Sequence, residues 1–311
     1  MPPRPPRPAA RAGSWGGTVK PAPFRYEKPR SVEQALALLA AEDEEPKVLA
    51  GGQSLVPLMN FRLARPSLLV DINGLAELSY IRREGSRLRI GALTRHAVLE
   101  ESPLVERHWP LLTEAVRLVG HPQIRNAGTI GGSLAHADPT AELPVALAAL
   151  DAGFVVRSRS GARELHWSEF FVGQLQTSLQ PDELLVETVV PALPAGTGCR
   201  FDEFTRRHGD FALGGCAVTV SLDPDGACTR AAIALLGAAP TPIRAARAEA
   251  ELVGRPVTAE SAARSAARAV QDLDPTSDLH ASGEYRRDLI ESLVARSLLT
   301  ARGRAREGVP A

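Results

Sequence analysis

The sequence predicts an α+β protein built from two domains. Three observations carry this. At 311 residues the chain is long enough for two domains, or for one large domain with a subdomain. A Pro/Gly cluster, "PALPAGTG" over 191–198, interrupts the chain past its midpoint. Beyond that cluster the strand patterns come first and the Ala-rich helical patterns last, the order of a sheet covered by helices.

The elements follow in order. Residues 1–23 hold seven prolines, four basic residues and no acid, and predict a disordered leader. Order starts near Phe24. Ser31 followed by Gln34 fits a capping box, and Val32, Ala35, Leu36 and Leu39 recur at helical spacing. "KVLA" (47–50) and "SLLVDI" (67–72) predict short buried strands. "ELSYIRREGSRLRIGAL" predicts a hairpin around Glu84-Gly85-Ser86. Residues 94–119 read as helical, interrupted near Pro103 and Pro110. "GHPQIRNAGTIGGSLAHADPTAELP" reads as a long irregular stretch, and loops of that length are usually functional. "ALAAL" (146–150) resumes helix, "FVVRSRSGARELHW" predicts a hairpin centred on Ser160-Gly161, and "ELLVETVVP" (183–191) predicts a strand stopped by Pro191. After the Pro/Gly cluster, two long strands flank the turn Asp223-Pro224-Asp225-Gly226. Helices follow near 258–271 and 283–300, and in the second Tyr285, Leu289 and Leu293 share a face. Domains are thus expected over 24–195, with subdomains of about 24–78 and 79–195, and over 199–303, before a tail at 304–311.

Composition narrows the function classes. Apolar residues make up 44% and charged residues 23%, the profile of a soluble globular protein. Lys plus Arg equals Asp plus Glu at 36 each, so the chain as a whole offers no electrostatic case for nucleic acid or a membrane surface. No apolar run approaches the ~20 residues of a spanning helix. The N-terminal arginines precede no apolar core, so a secretory signal is not expected and a cytoplasmic address is. Cys199, Cys216 and Cys228 are far apart with no C-x-x-C, and read as buried small apolar residues rather than as a disulfide or cluster framework.

Two Gly-Gly pairs carry the chemistry. Ala50-Gly51-Gly52-Gln53-Ser54 and Thr129-Ile130-Gly131-Gly132-Ser133 each set a pair of glycines beside a hydroxyl, after a short apolar element. Neither is a P-loop, and no G-x-G-x-x-G stands between a strand and a helix. Without Cβ atoms, successive amides can close on a phosphate as a concave nest, to which Ser54, Thr129 and Ser133 add hydroxyls. Two such loops could grip one dinucleotide from opposite sides; they could equally do no more than turn the chain. Glu142, acceptor-only when ionised, suits a sugar hydroxyl, or is a solvated loop carboxylate. Asp138 before Pro139 reads as a turn initiator, and His121-Pro122 as a loop breaker. His136 is either a surface residue or close to a ligand. Arg206 and Arg207 could favour negative charge on a bound group, or lie exposed.

"KVLAGGQSLVPLMNFRLARPSLLVDI", "GTIGGSLAHADPTAELP", "RRHGDFALGG" and "DLDPTSDLHASGEYRRDLI" together resemble the FAD-binding medium subunit of molybdenum hydroxylases, the family of the carbon monoxide dehydrogenase medium chain and the xanthine dehydrogenase flavin domain. The resemblance spans about 24–303. It implies a two-subdomain FAD domain of the PCMH/vanillyl-alcohol-oxidase type and a C-terminal sheet-plus-helices domain. It implies that Lys47, Val48, Leu49, Ala50, Gly51, Gly52, Gln53 and Ser54 wrap the diphosphate. Thr129, Ile130, Gly131, Gly132 and Ser133 would form a second wall, with Val119 nearby. Glu142 would bond a cofactor hydroxyl, Leu185 would touch the flavin or adenine through its backbone, and Arg206 or Arg207 would lie near the isoalloxazine. Many relatives have His where this chain has Gln53, which can still donate. The resemblance further implies FAD on this chain and two partners: a small [2Fe–2S] subunit and a large molybdopterin subunit, arranged as a dimer of heterotrimers. Electrons would pass through FAD to an external acceptor. The alternatives are a self-contained FAD oxidoreductase, for which His208 and Asp210 offer an acid or base, and a binding module that has lost its cofactor.

Overall fold

The computed structural model describes residues 21–41 and 44–307. The expected leader lies outside these residues except for its last three.

Three sheets organise the chain. The first is parallel: β1 (Arg25–Glu27), α1 (Val32–Leu39), β2 (Pro46–Leu49), α2 (Leu55–Asn60) and β3 (Leu68–Asp71) form the order β1-β3-β2. Ser31 caps α1 by accepting from the Gln34 amide at 3.3 Å, as its spacing predicts. The Gln34 side chain accepts from the Arg30 amide instead of completing the box at Ser31. Val32, Ala35, Leu36 and Leu39 of α1 are buried against β3.

The second sheet has five antiparallel strands in the order β4-β5-β10-β6-β7. It begins with the hairpin β4 (Ile81–Glu84) and β5 (Arg87–Gly91). Six helices follow: α3 (His96–Glu100), α4 (Pro103–His108), α5 (Pro110–Leu118), α6 (Pro122–Ala127), α7 (Ile130–His136) and α8 (Glu142–Ala149). Next come the hairpin β6 (Gly153–Ser158) and β7 (Gly161–His166), the turn of helix α9 (Trp167–Phe170), the small pair β8 (Phe171–Gly173) and β9 (Gln176–Thr177), and β10 (Leu184–Pro191). A bulge between Leu185 and Glu187 breaks the β10 register. It lets β10 serve two cores: Leu184 and Val186 pack with the first sheet, Leu185 and Val190 with the second.

The third sheet joins β11 (Thr197–Phe204), β12 (Gly214–Leu222), β13 (Cys228–Leu236) and β14 (Ile243–Arg244) in sequence order. Helices α10 (Ala246–Leu252), α11 (Ala259–Val270) and α12 (Gly283–Glu307) cover one face. The other face packs on the second sheet's helices, so Cys216, Val218 and Val220 point one way and Ala217 the other. Burial on both faces explains the near-continuous apolar run of β12 and β13. All three cysteines are buried and unpaired, and burial pushes the Cys199 and Cys216 thiols up to about 12.

Two expectations need correction. Helix α12 runs to Glu307, so 304–307 is not tail. Its buried stripe is Ile290, Leu293, Val294, Leu298 and Ala301, with Leu289 at its edge, while Tyr285 is 47% exposed. Of the expected face, Leu293 lies in the buried stripe, Leu289 at its edge and Tyr285 outside it.

Glu114 of α5 couples the third sheet to the second. It accepts from the Phe201 amide at 2.9 Å and from Arg304, which also donates to the Cys199 carbonyl at 2.6 Å. Glu114→Ala leaves the Phe201 amide without this acceptor and Arg304 with the Cys199 carbonyl, and is expected to cost about 2 kcal/mol. Urea denaturation of the full chain checks this, and wild-type stability would refute it.

Candidate functional site

The first glycine motif forms the turn from β2 into α2. Gly52 has φ +70, which a side chain tolerates poorly. Gly51 needs no special torsion; it needs space. A Cβ there would lie 2.5 Å from the Ala127 carbonyl oxygen and 2.8 Å from Gly128 Cα. The glycine therefore lets the backbone press against the end of α6. Among the described residues no acceptor takes the amides of Gly51, Gly52, Gln53 or Ser54, while the Gln53 side chain donates to the Gly51 carbonyl at 2.9 Å. Amides left free in a protein surface need water or a ligand.

The second motif is not the loop its composition predicts. The stretch 120–144 contains α6, α7 and the start of α8. Pro122 stands at the start of α6, where its missing N–H costs nothing. Thr129 caps α7 by accepting from the Gly132 amide at 3.1 Å. Gly131 is required by packing: a Cβ would lie 2.6 Å from Ala92 Cβ at the end of β5. The amides here are also committed. Ile130 donates to Thr94 at 3.0 Å, Gly131 to Ala92 at 2.9 Å and Ser133 to Thr129 at 3.0 Å. The expectation of a second amide nest is thus corrected. This segment offers a close-packed wall and the half-buried Ser133 hydroxyl, not free amides.

The two motifs meet. A Cβ on Gly132 would lie 3.9 Å from Ala50 Cβ. Beside the first motif opens a cleft of about 630 Å³, lined by Leu49, Ala50, Gly51, Gly52, Gln53, Val56, Pro57, Asn73, Arg95, Asn126 and Ala127, and by no residue of Thr129 to Ser133. That volume lies within the range of cofactor and ligand pockets. Lys47 is exposed and Val48 half-buried on β2, leading into the cleft. Asn73, Arg95 and Asn126 were not expected here. Asn73 follows β3 and Arg95 precedes α3, and only tertiary structure brings them to the glycines.

The remaining predicted residues do not line this cleft. Leu185 is buried beside the β10 bulge, where the Val186 carbonyl accepts from Ala92 at 2.9 Å, one step from Gly131. Val119 ends α5. Close after it, His121 packs on the "RRHGDFA" loop: a Cβ on Gly209 would lie 2.3 Å from its ring, and the His121 and His208 rings stand 5.8 Å apart. Arg206 and Arg207 in that loop are exposed. Asp138 accepts from the Thr140 amide at 2.8 Å, the predicted turn.

Glu142 opens α8 and faces Glu203 of β11 across the domain boundary. Burial raises its carboxyl to about 7, the charge of Asp138 adds to this, and its own backbone amide opposes it. Glu203 is pushed to about 8 by burial and by the charges of Glu142 and Asp202, and its buried Oε2 has no hydrogen-bond partner. Near neutral pH, Glu142 is therefore a donor as well as an acceptor.

Comparison with known proteins agrees in both halves. Residues 22–193 match the FAD binding domain in molybdopterin dehydrogenase, and residues 200–301 the CO dehydrogenase flavoprotein C-terminal domain. The chain is 50% identical over 288 residues to the 6-hydroxypseudooxynicotine dehydrogenase complex subunit alpha of Paenarthrobacter nicotinovorans, covering 93% of this chain and 97% of that one. It is 39% identical over 278 residues to the carbon monoxide dehydrogenase medium chain of Hydrogenophaga pseudoflava, covering 89% and 96%. Among solved structures, carbon monoxide dehydrogenase from Hydrogenophaga pseudoflava lacking the Mo-pyranopterin moiety aligns with TM-score 0.87 at 41% identity, over 91% of this chain and 98% of that one. Quinoline 2-oxidoreductase from Pseudomonas putida 86 aligns with TM-score 0.87 at 36% identity, over 91% and 98%. Two domain models in the order of the fold, and relatives matched over nearly their whole length, place the chain in the family of FAD-binding medium subunits of molybdenum hydroxylases, as an oxidoreductase subunit.

Proposed function

We propose that this chain carries electrons from the [2Fe–2S] clusters of a partner subunit, through its FAD, to an external acceptor. The free amides of Gly51 to Gln53, which line one cleft with Arg95, carry the reading, and the second glycine segment meets the first at Ala50. Amide donors, a cation and the absence of Cβ atoms suit a diphosphate. FAD, when bound, supplies the electron storage that no side chain of this chain has.

The protein's own residues bind and orient. Lys47 to Ser54 hold the diphosphate, and Thr129 to Ser133 limit its position from the other side. Glu142 bonds a ribose or ribityl hydroxyl, Leu185 touches the flavin or adenine through its backbone, and Val119 lies nearby on the approach. Arg206, on its exposed loop, favours negative charge on the flavin. The chain works with a small iron–sulfur subunit and a large molybdopterin subunit, as a dimer of heterotrimers in the cytoplasm.

Purified alone, the full chain is expected to be yellow, with stoichiometric FAD and neither iron nor molybdenum. Co-expressed with its two partners it is expected to reduce an added acceptor only in the complex. Stoichiometric iron on the isolated chain would contradict the reading, and substrate turnover by that chain would favour the self-contained oxidoreductase.

A further inference from the structure

We propose that Arg95 is the cationic anchor of the diphosphate and the clasp that holds the two glycine motifs in register. The inference rests on the cleft being the FAD site, and adds to it a residue outside both motifs. Arg95 pairs through its backbone with Thr129 of the second motif, in an isolated antiparallel bridge. Its guanidinium donates to the Ala127 carbonyl, the same oxygen that a Cβ on Gly51 would strike. It donates again to Asn73 Oδ1 at 2.7 Å. Asn73 in turn donates to the Ala50 carbonyl at 2.8 Å and to Asp71 at 2.6 Å. One side chain thus ties α6, the end of β3 and the first glycine turn together.

The same side chain has capacity left over. A guanidinium has five N–H donors, and the two acceptors above leave others free. Among the described residues no carboxylate lies within ion-pair distance of Arg95, although most arginines of this chain that are half-buried or deeper have one. It lines the cleft beside the unpaired amides of Gly51 to Gln53. A partly buried cation without an anionic partner, next to free amides, fits an anion that arrives with the ligand. The fork geometry suits phosphate oxygens better than a lysine would.

The test uses the full chain stripped of cofactor, with FAD, ADP and riboflavin as probes. Arg95→Gln is expected to weaken FAD and ADP about 10- to 100-fold, to leave riboflavin unchanged, and to flatten the salt dependence of FAD binding. Arg95→Lys is expected to fall between wild type and Arg95→Gln for FAD and ADP. Equal losses for all three probes would mean a purely structural residue and would overturn the assignment, as would unchanged FAD binding. Should Arg95→Gln fail to fold, Arg95→Lys decides alone: wild-type affinity for FAD and ADP overturns the assignment, and a selective loss supports it. A wild-type chain that takes up neither FAD nor ADP removes the functional reading itself, whereas a wild type that binds both and a variant that matches it removes only the role of Arg95.

Discussion

Gly51→Ala is expected to yield a folded protein that elutes nearly colourless. The added methyl would lie 2.5 Å from the Ala127 oxygen and 2.8 Å from Gly128 Cα. Both obstacles are backbone, so no side chain can swing aside. The turn must retreat from α6, which separates the free amides from the second wall and stretches the clasp through Ala127. Overpacking of this kind costs about 1–3 kcal/mol. Taken from the bound geometry, that corresponds to a loss of FAD affinity of roughly 10- to 100-fold. Gly85→Ala is the control. Gly85 has φ +58 in a hairpin turn with open space around it, so that variant loses about 1 kcal/mol of stability and keeps its flavin. Absorbance at the flavin band after gel filtration compares the two. Retention of full colour by Gly51→Ala would mean that the contact with α6 does not shape the site.

Acid is expected to remove about 3 kcal/mol of stability between pH 6.5 and pH 4 through His96 alone. This residue is 5% exposed, and neither ring nitrogen has a hydrogen-bond partner. Burial lowers its pKa to about 4, the charges of Arg125 and Arg95 add to this, and the Thr129 backbone opposes it. A folded-state pKa below the unfolded value means stability present above pH 6.5 and lost as the pH falls through 4; the gap of roughly 2.5 pH units sets the magnitude. His96 lies under the second wall, where a Cβ on Gly128 would come within 2.9 Å of its Nδ1, so protonation loosens the site as well as the fold. Glu142 and Glu203 act in the opposite sense. Their carboxyls are raised, so their contribution is present below the ordinary carboxylate range and is lost as pH rises through about 7 to 8. Urea midpoints of the apoprotein against pH test both limbs. His96→Gln should flatten the acid limb and Glu203→Gln the alkaline one; a His96→Gln profile parallel to wild type would discount the histidine.

The local elements were legible because local rules govern them. Ser31 caps its helix, the Gly85 and Ser160-Gly161 hairpins turn where the alternating runs break, and β12 and β13 flank the predicted turn. The two glycine motifs were legible as a pair. Their difference was not. Propensity reads glycine and proline as loop, yet Gly131 sits inside α7 because the end of β5 presses on it, a contact across 39 residues of chain.

The sequence by itself determined the order of strands and helices, the family and the positions where a side-chain-free backbone is needed. Only the tertiary structure decided which amides stay free, because that depends on every acceptor within reach and most of these are distant in sequence. It likewise placed Asn73 and Arg95 at the first motif and set Glu142 against Glu203 across the domain boundary. Torsions and periodicity are written residue by residue, whereas hydrogen-bond satisfaction and electrostatics are properties of the packed whole.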